Sequence, residues 1–373
     1  MVVMVDRVLL VFYAASLMLG IVGGAYYVVS RNAVYIEVGP DYAFMSLLVA
    51  SETLPGFFSV VGGVLGDMLG RRRMIVLGAL SSIPFIIAGM GGVRSLPYLI
   101  LMYGVLTSMA SPNVYGGLLH YTGSSGSSYS LIAVAGSIGW AIGGVIGGYM
   151  AESLSFTACM TVLAAMVSAS YLAVYAAYPG KVTYPGASLM EVVDGAGRVW
   201  PLFLASVLSF TGVRFFFSNY VLALRSMLTD PVVYGLVVNT IPAITGAAIW
   251  PIIGRVSDNR NPVLLAMIAV AEYAVLIAVF LNLGDPVVVS VLWAIPIYPL
   301  LEQGLVISIS RKLPGRLQSL ASGVFTTSLS VAGFAILLLG RVLADINAIG
   351  WYSISILAAS LSLMLAGRLM GRL

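Results

Sequence analysis

Twelve apolar runs follow one another along the chain, and each is long enough to cross the hydrocarbon core of a bilayer as a helix of roughly 20 residues. The runs cover 8–30, 42–66, 74–92, 96–120, 127–150, 153–178, 199–226, 231–254, 262–282, 286–309, 317–341 and 346–368. Only 9% of residues are charged and the mean hydropathy is +1.04, whereas about a quarter of residues are charged in soluble domains. The sequence therefore predicts an all-α integral membrane protein with twelve transmembrane helices.

The longest polar interruption, residues 179–198, comes after the sixth run. It contains Pro179, Gly180, Pro185 and Gly186, which favour a linker over a further span. This interruption predicts three parts. They are an N-terminal six-helix bundle over 1–178, a cytoplasmic linker over 179–198 and a C-terminal six-helix bundle over 199–373.

The distribution of Lys and Arg predicts the orientation, because cytoplasmic loops carry an excess of both residues. With the N-terminus inside, four of the 18 fall in external segments: Arg31, Arg94, Arg225 and Arg341. Arg214 lies within a run, and all the others lie in cytoplasmic segments. We therefore expect a multi-pass protein of the plasma membrane with both termini in the cytoplasm. Membrane topology explains the net charge of +4, so a nucleic-acid partner is not expected.

A short polar segment between the second and third runs carries the most specific motif. Residues 63–72 read GVLGDMLGRR, and a weaker copy, GRVSDNR, occupies 254–260. The segment resembles the loop motif G-x-L-x-D-x-x-G-R-R of the major facilitator superfamily. The matching residues are Gly63, Leu65, Asp67, Gly70, Arg71 and Arg72. This resemblance implies two pseudo-symmetric six-helix bundles and a secondary transporter.

The same resemblance implies that Asp67 latches the two halves together on the cytoplasmic side. A carboxylate near a helix end with three arginines close by can form alternative ion pairs, as a two-state element requires. The alternative is that Arg71, Arg72 and Arg73 serve only as topology anchors. The predicted latch consists of Gly63, Asp67, Gly70, Arg71, Arg72, Arg255 and Asp258.

Four ionisable residues fall at membrane depth, where a charge needs a cavity or a partner: Glu52, Arg214, Glu272 and Glu302. In the superfamily, helices one, four, seven and ten line the central cavity, and this implies that Arg214 and Glu302 lie in its wall. Glu52 and Glu302 are the candidates for proton coupling. Glu272 lies on a helix that is peripheral in this fold, and we expect a structural role for it.

Helical spacing adds polar residues to this predicted cavity. The full set is Tyr27, Asn113, Thr211, Arg214, Ser218, Tyr298, Glu302 and Gln303. Each Tyr or Asn could instead make a structural hydrogen bond between helices. Arg214 could hold an anionic group of the substrate, because guanidinium binds carboxylate or phosphate bidentately, or it could pair with Glu302. Both roles for Arg214 remain open at this stage.

We expect a secondary active transporter that moves a small organic solute, anionic or amphipathic, by alternating access with proton coupling. The alternatives are a passive facilitator and a multidrug/proton antiporter. The antiporter rests on glycines 139, 143, 144, 147 and 148, which are similar to an antiporter motif. A single His, His120, and a single Cys, Cys159, leave little for an enzyme, and the sequence lacks a G-x-x-x-x-G-K-[ST] loop. No cofactor or metal is expected, and the lipid bilayer, protons and the solute are the expected partners of a monomer.

Overall fold

The computed structural model describes residues 7–38, 42–122, 124–178, 187–227, 236–339 and 346–370, which form helices and no strand. The all-α prediction is confirmed. We number the helices as twelve units. They are α1 (Arg7–Glu37), α2 (Tyr42–Thr53 and Phe58–Leu69), α3 (Arg71–Leu80 and Ser82–Gly91), α4 (Leu96–Tyr121), α5 (Gly126–Ser153), α6 (Phe156–Ala177), α7 (Leu189–Met227), α8 (Ile241–Asn259), α9 (Pro262–Asn282), α10 (Pro286–Trp293 and Tyr298–Lys312), α11 (Gln318–Leu339) and α12 (Ile346–Leu369).

Ten of these units are long and apolar enough to cross a membrane, judged on the described residues alone. The other two are α2 and α8. A 3₁₀ turn at Leu54–Phe57 divides α2, and a π-helical turn at Leu236–Thr240 precedes α8. Two helices extend well beyond their predicted runs. Helix α1 continues beyond residue 30 to Glu37, and α7 begins at Leu189, inside the predicted linker. Linker residues 179–186 lie outside the described residues.

Buried apolar side chains form two separate clusters. One contains only residues of α1–α6 and of the turn between α3 and α4, and the other is built mainly from α7–α12. The two halves meet mainly where α11 contacts α2 and α4 and where α5 contacts α8. These contacts include Gly63 with Ser319 and Gly126 with Asp258, at the end of the molecule that holds Gly70, which we call the Gly70 end. This arrangement makes α2, α4, α5, α8 and α11 the main elements through which one half contacts the other.

The glycines of α5 pack against α1. A Cβ at Gly139 or Gly143 would overlap the carbonyl oxygen of Leu17 or Ile21, and one at Gly24 would overlap the carbonyl oxygen of Trp140. Small residues at such spacing let two membrane helices approach at backbone distance. Helix packing therefore accounts for these α5 glycines.

A second close approach, between α2 and α4, gives a testable stability effect. Asn113 donates to the carbonyl oxygens of Gly62 (3.0 Å) and Met109 (2.9 Å), and a Cβ at Gly66 would overlap its Oδ1. We expect Gly66→Ala to lower the free energy of unfolding by about 1–3 kcal/mol, because the buried Asn113 must leave its partners. Thermal unfolding in detergent measures the change.

The matched control is the same substitution combined with Asn113→Ala. Removing the amide makes room for the new methyl group, so the double variant should lose less stability than the sum of the two single variants. Strictly additive losses would show that Asn113 is not what restricts Gly66.

Candidate functional site

A hydrogen bond between the two halves lies at the centre of the candidate site. The Tyr129 hydroxyl on α5 donates to Oε1 of Glu302 on α10 at 2.6 Å. Tyr129 is buried, with 7% of its surface exposed, and its ring lies edge-on to that of Trp250 on α8. Sequence reasoning identified Glu302 but missed Tyr129, which follows a Gly/Ser-rich loop with no distinguishing signal.

Two further predicted residues lie near the Glu302 carboxyl. Arg214 on α7 is close enough to act on its charge, and Tyr298 lies one helical turn before it. The guanidinium carbon of Arg214 is 5.9 Å from the centre of the Phe210 ring, which in turn packs against the ring of Tyr298. Tyr298 keeps 38% of its surface accessible, and Glu302 is half-buried. We call Tyr129, Arg214, Tyr298 and Glu302 the Glu302 cluster.

A break in α10 positions this cluster. The helix stops at Trp293 and restarts at Tyr298, and Pro296 and Pro299 flank the restart. The Thr245 hydroxyl from α8 donates to the carbonyl oxygen of Ala294 at 2.8 Å and so satisfies part of the interrupted backbone. Binding sites of membrane transporters are commonly built at discontinuous helices of this kind.

The structure places three predicted cavity residues elsewhere. Asn113 is fully buried against α2. Gln303 is also fully buried, and its Nε2 donates to the Gly126 carbonyl oxygen (2.7 Å) and to Ser257 Oγ (2.9 Å) near the Gly70 end. Thr211 has 4% of its surface exposed and, among the described residues, no partner for its hydroxyl. The side chain of Ser218 lies outside the described residues. The side chains of Asn113, Gln303 and Thr211 are all buried in the conformation described, and their place in a substrate cavity stays a prediction.

A second polar group lies within the N-terminal half. Both Nη atoms of Arg31 on α1 bind both carboxylate oxygens of Glu52 on α2, at 2.6 and 2.7 Å. The Tyr26 hydroxyl donates to the same carboxylate at 2.8 Å, and the Arg31 guanidinium stacks on the Tyr27 ring at 4.3 Å. Arg31, which was predicted to lie on the external side, is within α1, which continues past it, and its side chain is 20% exposed beside Glu52.

At the Gly70 end, Asp67 joins the two halves. Its Oδ2 accepts the backbone N–H of Leu320 in the first turn of α11 (2.9 Å), and its Oδ1 binds Arg71 (2.9 Å). Arg71 also donates a hydrogen bond to the carbonyl oxygen of Gly315 at 3.1 Å. The exposed fraction of the side chain is 0% for Asp67 and 8% for Arg71. A carboxylate at this position also interacts favourably with the positive end of the α11 dipole.

Asp258 makes the corresponding contact in the other direction. Its carboxylate accepts the backbone N–H groups of Gly126 (2.7 Å) and Ser127 (3.0 Å) at the start of α5. Its basic partner is Arg311 on α10, at 3.4 Å. Arg255, which the sequence suggested for this role, is exposed. The two motif copies thus each supply a carboxylate to the first turn of a helix in the opposite half.

The remaining latch residues shape the turn and the contact. Gly63 packs so closely on α11 that a Cβ would overlap the carbonyl oxygen of Ser319. Gly70 has a φ of 104°, a backbone conformation that favours glycine. Arg72 stays within its own half, where it donates to the Tyr175 carbonyl oxygen at 3.2 Å and stacks on the ring of that residue.

Similar structures and a family model match most of the chain. A bacterial homologue of the iron transporter ferroportin in the outward-facing state is 12% identical, with a TM-score of 0.75, and the match covers 97% of this chain and 99% of the other. The same homologue with soaked iron is 13% identical, with a TM-score of 0.74 and the same coverage. The human organic anion transporter MFSD10 (TETRAN) is 12% identical, with a TM-score of 0.75, and the match covers 96% and 99% of the two chains. No curated protein sequence matches the chain.

At such low identity the solved structures show a common fold. The model of the Major Facilitator Superfamily matches residues 8–337, which is most of the chain. These findings confirm the resemblance that the loop motif indicated. The chain belongs to the Major Facilitator Superfamily and is a multi-pass membrane transporter.

Proposed function

We propose that the protein is a secondary active transporter that moves a small organic solute by alternating access and couples this movement to protons. The observation that carries the proposal is the Glu302 carboxyl, which is bound by Tyr129 of the opposite half. When the halves separate at this point, the carboxyl loses its partner and its surroundings change. A membrane carboxyl in this position can take up or release a proton at a defined step of the cycle.

The solute is anionic or amphipathic in this proposal. Arg214 is a permanent cation beside Glu302, and the rings of Phe210 and Tyr298 supply an apolar surface next to it. The similarity in fold to a human organic anion transporter agrees with such a solute. Among the described residues, no three His, Cys, Asp or Glu side chains gather where a metal ion could bind. Iron is nevertheless included as one arm of the test, because one protein of similar fold is a homologue of the iron transporter ferroportin.

The two carboxylates at the Gly70 end, Asp67 and Asp258, are the proposed latch. Each joins one half to the first turn of a helix in the other, so the conformation described here is closed at that end. Following the Lys and Arg distribution, we assign the Gly70 end and both termini to the cytoplasmic side of the plasma membrane. The transporter works as a monomer in this proposal. A passive facilitator is the second candidate, because the Tyr129–Glu302 bond could serve only to hold the halves together.

The test is transport by the pure protein in liposomes loaded with a pH-sensitive dye. Pooled organic anions, amphipathic cations and Fe²⁺ are offered in turn, with and without an imposed proton gradient. Glu302→Gln keeps the size of the side chain but removes the titration, and Arg214→Ala removes the fixed cation. Glu272→Gln is the matched control, because Glu272 is an exposed carboxyl on a different helix, α9.

We expect solute-dependent proton movement in the wild type and in Glu272→Gln, and a loss of at least about tenfold in Glu302→Gln. We also expect Arg214→Ala to weaken solute binding about tenfold or more. Solute flux without proton movement, unchanged in Glu302→Gln, would contradict coupling and favour the facilitator. Flux of Fe²⁺ alone would contradict an organic solute.

A further inference from the structure

A pocket of about 250 Å³ lies within the N-terminal half and is lined by α1–α5 only. It contains the Arg31–Glu52 pair, whose side chains are 20% and 22% exposed. For comparison, an apolar protein cavity of about 150 Å³ is enough to bind benzene. The pocket therefore has room for a small organic molecule, and its two charged groups are partly accessible.

Five of the 13 residues that line the pocket are aromatic. Tyr26, Tyr27, Phe85, Tyr103 and Trp140 all line the pocket. The Phe85 ring lies 4.4 Å from that of Tyr103 and 5.6 Å from that of Tyr26, and Trp140 packs against Tyr27 at 6.1 Å. Rings held against one another in this way form a preformed surface for an apolar or aromatic group.

The charges of the pocket select the polar part of a ligand. Arg31 and Glu52 bind each other bidentately and together carry no net charge. A ligand with a single charge would displace one partner and leave it unpaired inside the protein, which is costly. A ligand with one ammonium and one carboxylate can give each partner a new counter-ion and keep the site neutral.

We infer that this pocket is a binding site for a small zwitterion, an amino-acid-like molecule whose ammonium binds Glu52, whose carboxylate binds Arg31 and whose apolar body lies between the aromatic rings. The Tyr26 hydroxyl, which donates to Glu52, and Ser30, which accepts from Arg31 at 2.9 Å, hold the two charged groups in place for such a ligand. The inference is independent of the proposed transport cycle, which depends on the Glu302 cluster, and either can fail alone.

The test measures binding by the purified full-length protein in lipid nanodiscs by calorimetry, with three probes of nearly one shape. Phenylalanine carries both charges. Phenylalaninamide, in mildly acidic buffer, carries only the positive charge, and 3-phenylpropionate carries only the negative one. We expect phenylalanine to bind at least about tenfold more tightly than either of the others.

Three variants identify the pocket as the place of binding. Arg31→Gln with Glu52→Gln removes both charges but keeps a hydrogen-bonded pair, and it should abolish the preference for phenylalanine. Ser108→Phe fills the pocket without touching either charge and should weaken phenylalanine binding at least about tenfold. Met102→Phe is the matched control, because Met102 lies on the same helix, is 55% exposed and does not line the pocket. It should bind phenylalanine like the wild type.

Each other outcome overturns the inference. Tighter binding of phenylpropionate or of the amide would mean that a single charge is selected, as in an anion or cation site. Equal binding of phenylalanine in wild type and Ser108→Phe would place the ligand elsewhere. Cooperative unfolding on heating shows that the wild-type protein is folded. If such a protein does not bind phenylalanine, the zwitterion site is ruled out.

Discussion

Replacing Asp67 by alanine should open the Gly70 end of the molecule. The substitution removes the acceptor for the Leu320 N–H group and leaves Arg71, with 8% of its side chain exposed, without its carboxylate. Loss of one partner of a buried ion pair costs about 3–5 kcal/mol. In the proposed cycle Asp67 contacts α11 only while the halves are closed here, so the substitution should lower the population of the closed form relative to the open form by a factor of about a hundred or more.

A cysteine at position 319 reports this opening. Ser319 is fully buried where α11 meets Gly63, and the native Cys159 is buried as well, so maleimide labelling of Ser319→Cys measures access to the interface. We expect Asp67→Ala to speed labelling strongly. Asp258→Ala is the matched comparison. Its carboxylate is 29% exposed and caps a helix, so its loss should cost only about 1 kcal/mol and speed labelling less. Unchanged labelling in Asp67→Ala would exclude Asp67 as a latch.

Replacing Glu52 by alanine should cause the second large loss, in stability. Arg31 would then lie in the N-terminal half without its bidentate partner, and we expect the free energy of unfolding to fall by about 3 kcal/mol. Arg31→Gln with Glu52→Gln leaves no charge behind and should stay within about 1 kcal/mol of the wild type. Thermal unfolding in one detergent compares the variants.

The control for this effect is an exposed ion pair. Glu191 and Arg316 lie 2.6 Å apart, with 35% and 44% of their side chains exposed. Solvent screens such a pair, so Glu191→Ala should change stability by less than about 1 kcal/mol. Equal losses in Glu52→Ala and Glu191→Ala would mean that Arg31 finds water or another partner, and that its burial carries no special cost.

The fold was predictable because hydrophobic length alone specifies membrane helices. Backbone groups in lipid must be satisfied within the segment, so each long apolar run becomes a helix whatever its neighbours are. The exceptions are informative. Helix α1 continues past the charged Arg31 because Glu52 neutralises that charge. Glu52 is distant in sequence, so the apolar run alone did not indicate it. Helix α7 begins at Leu189, before the apolar run, because the first turns of a helix can carry polar residues.

The site was only partly predictable. The position of a residue within an apolar run indicates its depth in the membrane, but it does not fix the direction in which the side chain faces. The cost of a charge in lipid selected Arg214 and Glu302 from the sequence, and the charges of these two residues interact. An amide or hydroxyl carries no such cost, so Asn113 and Gln303 could be assigned to a cavity while in fact bonding neighbouring backbone. Tyr129 was missed because tyrosine occurs in protein cores, at membrane surfaces and in functional sites, so its presence alone indicates none of them.

Helix α5 contacts three of the groups described above: Asp258, Glu302 and the N-terminal pocket. Asp258 of the opposite half holds the first turn of α5, Tyr129 binds Glu302 one turn later, and Trp140 forms a wall of the N-terminal pocket about 21 Å from the first turn. Along this length and beyond it the glycines of α5 lie directly on the α1 backbone, so the two helices pack at backbone distance. In the proposed cycle, a ligand that binds the pocket more tightly in one state of the latch must favour that state by the same factor, because coupling between two sites is reciprocal.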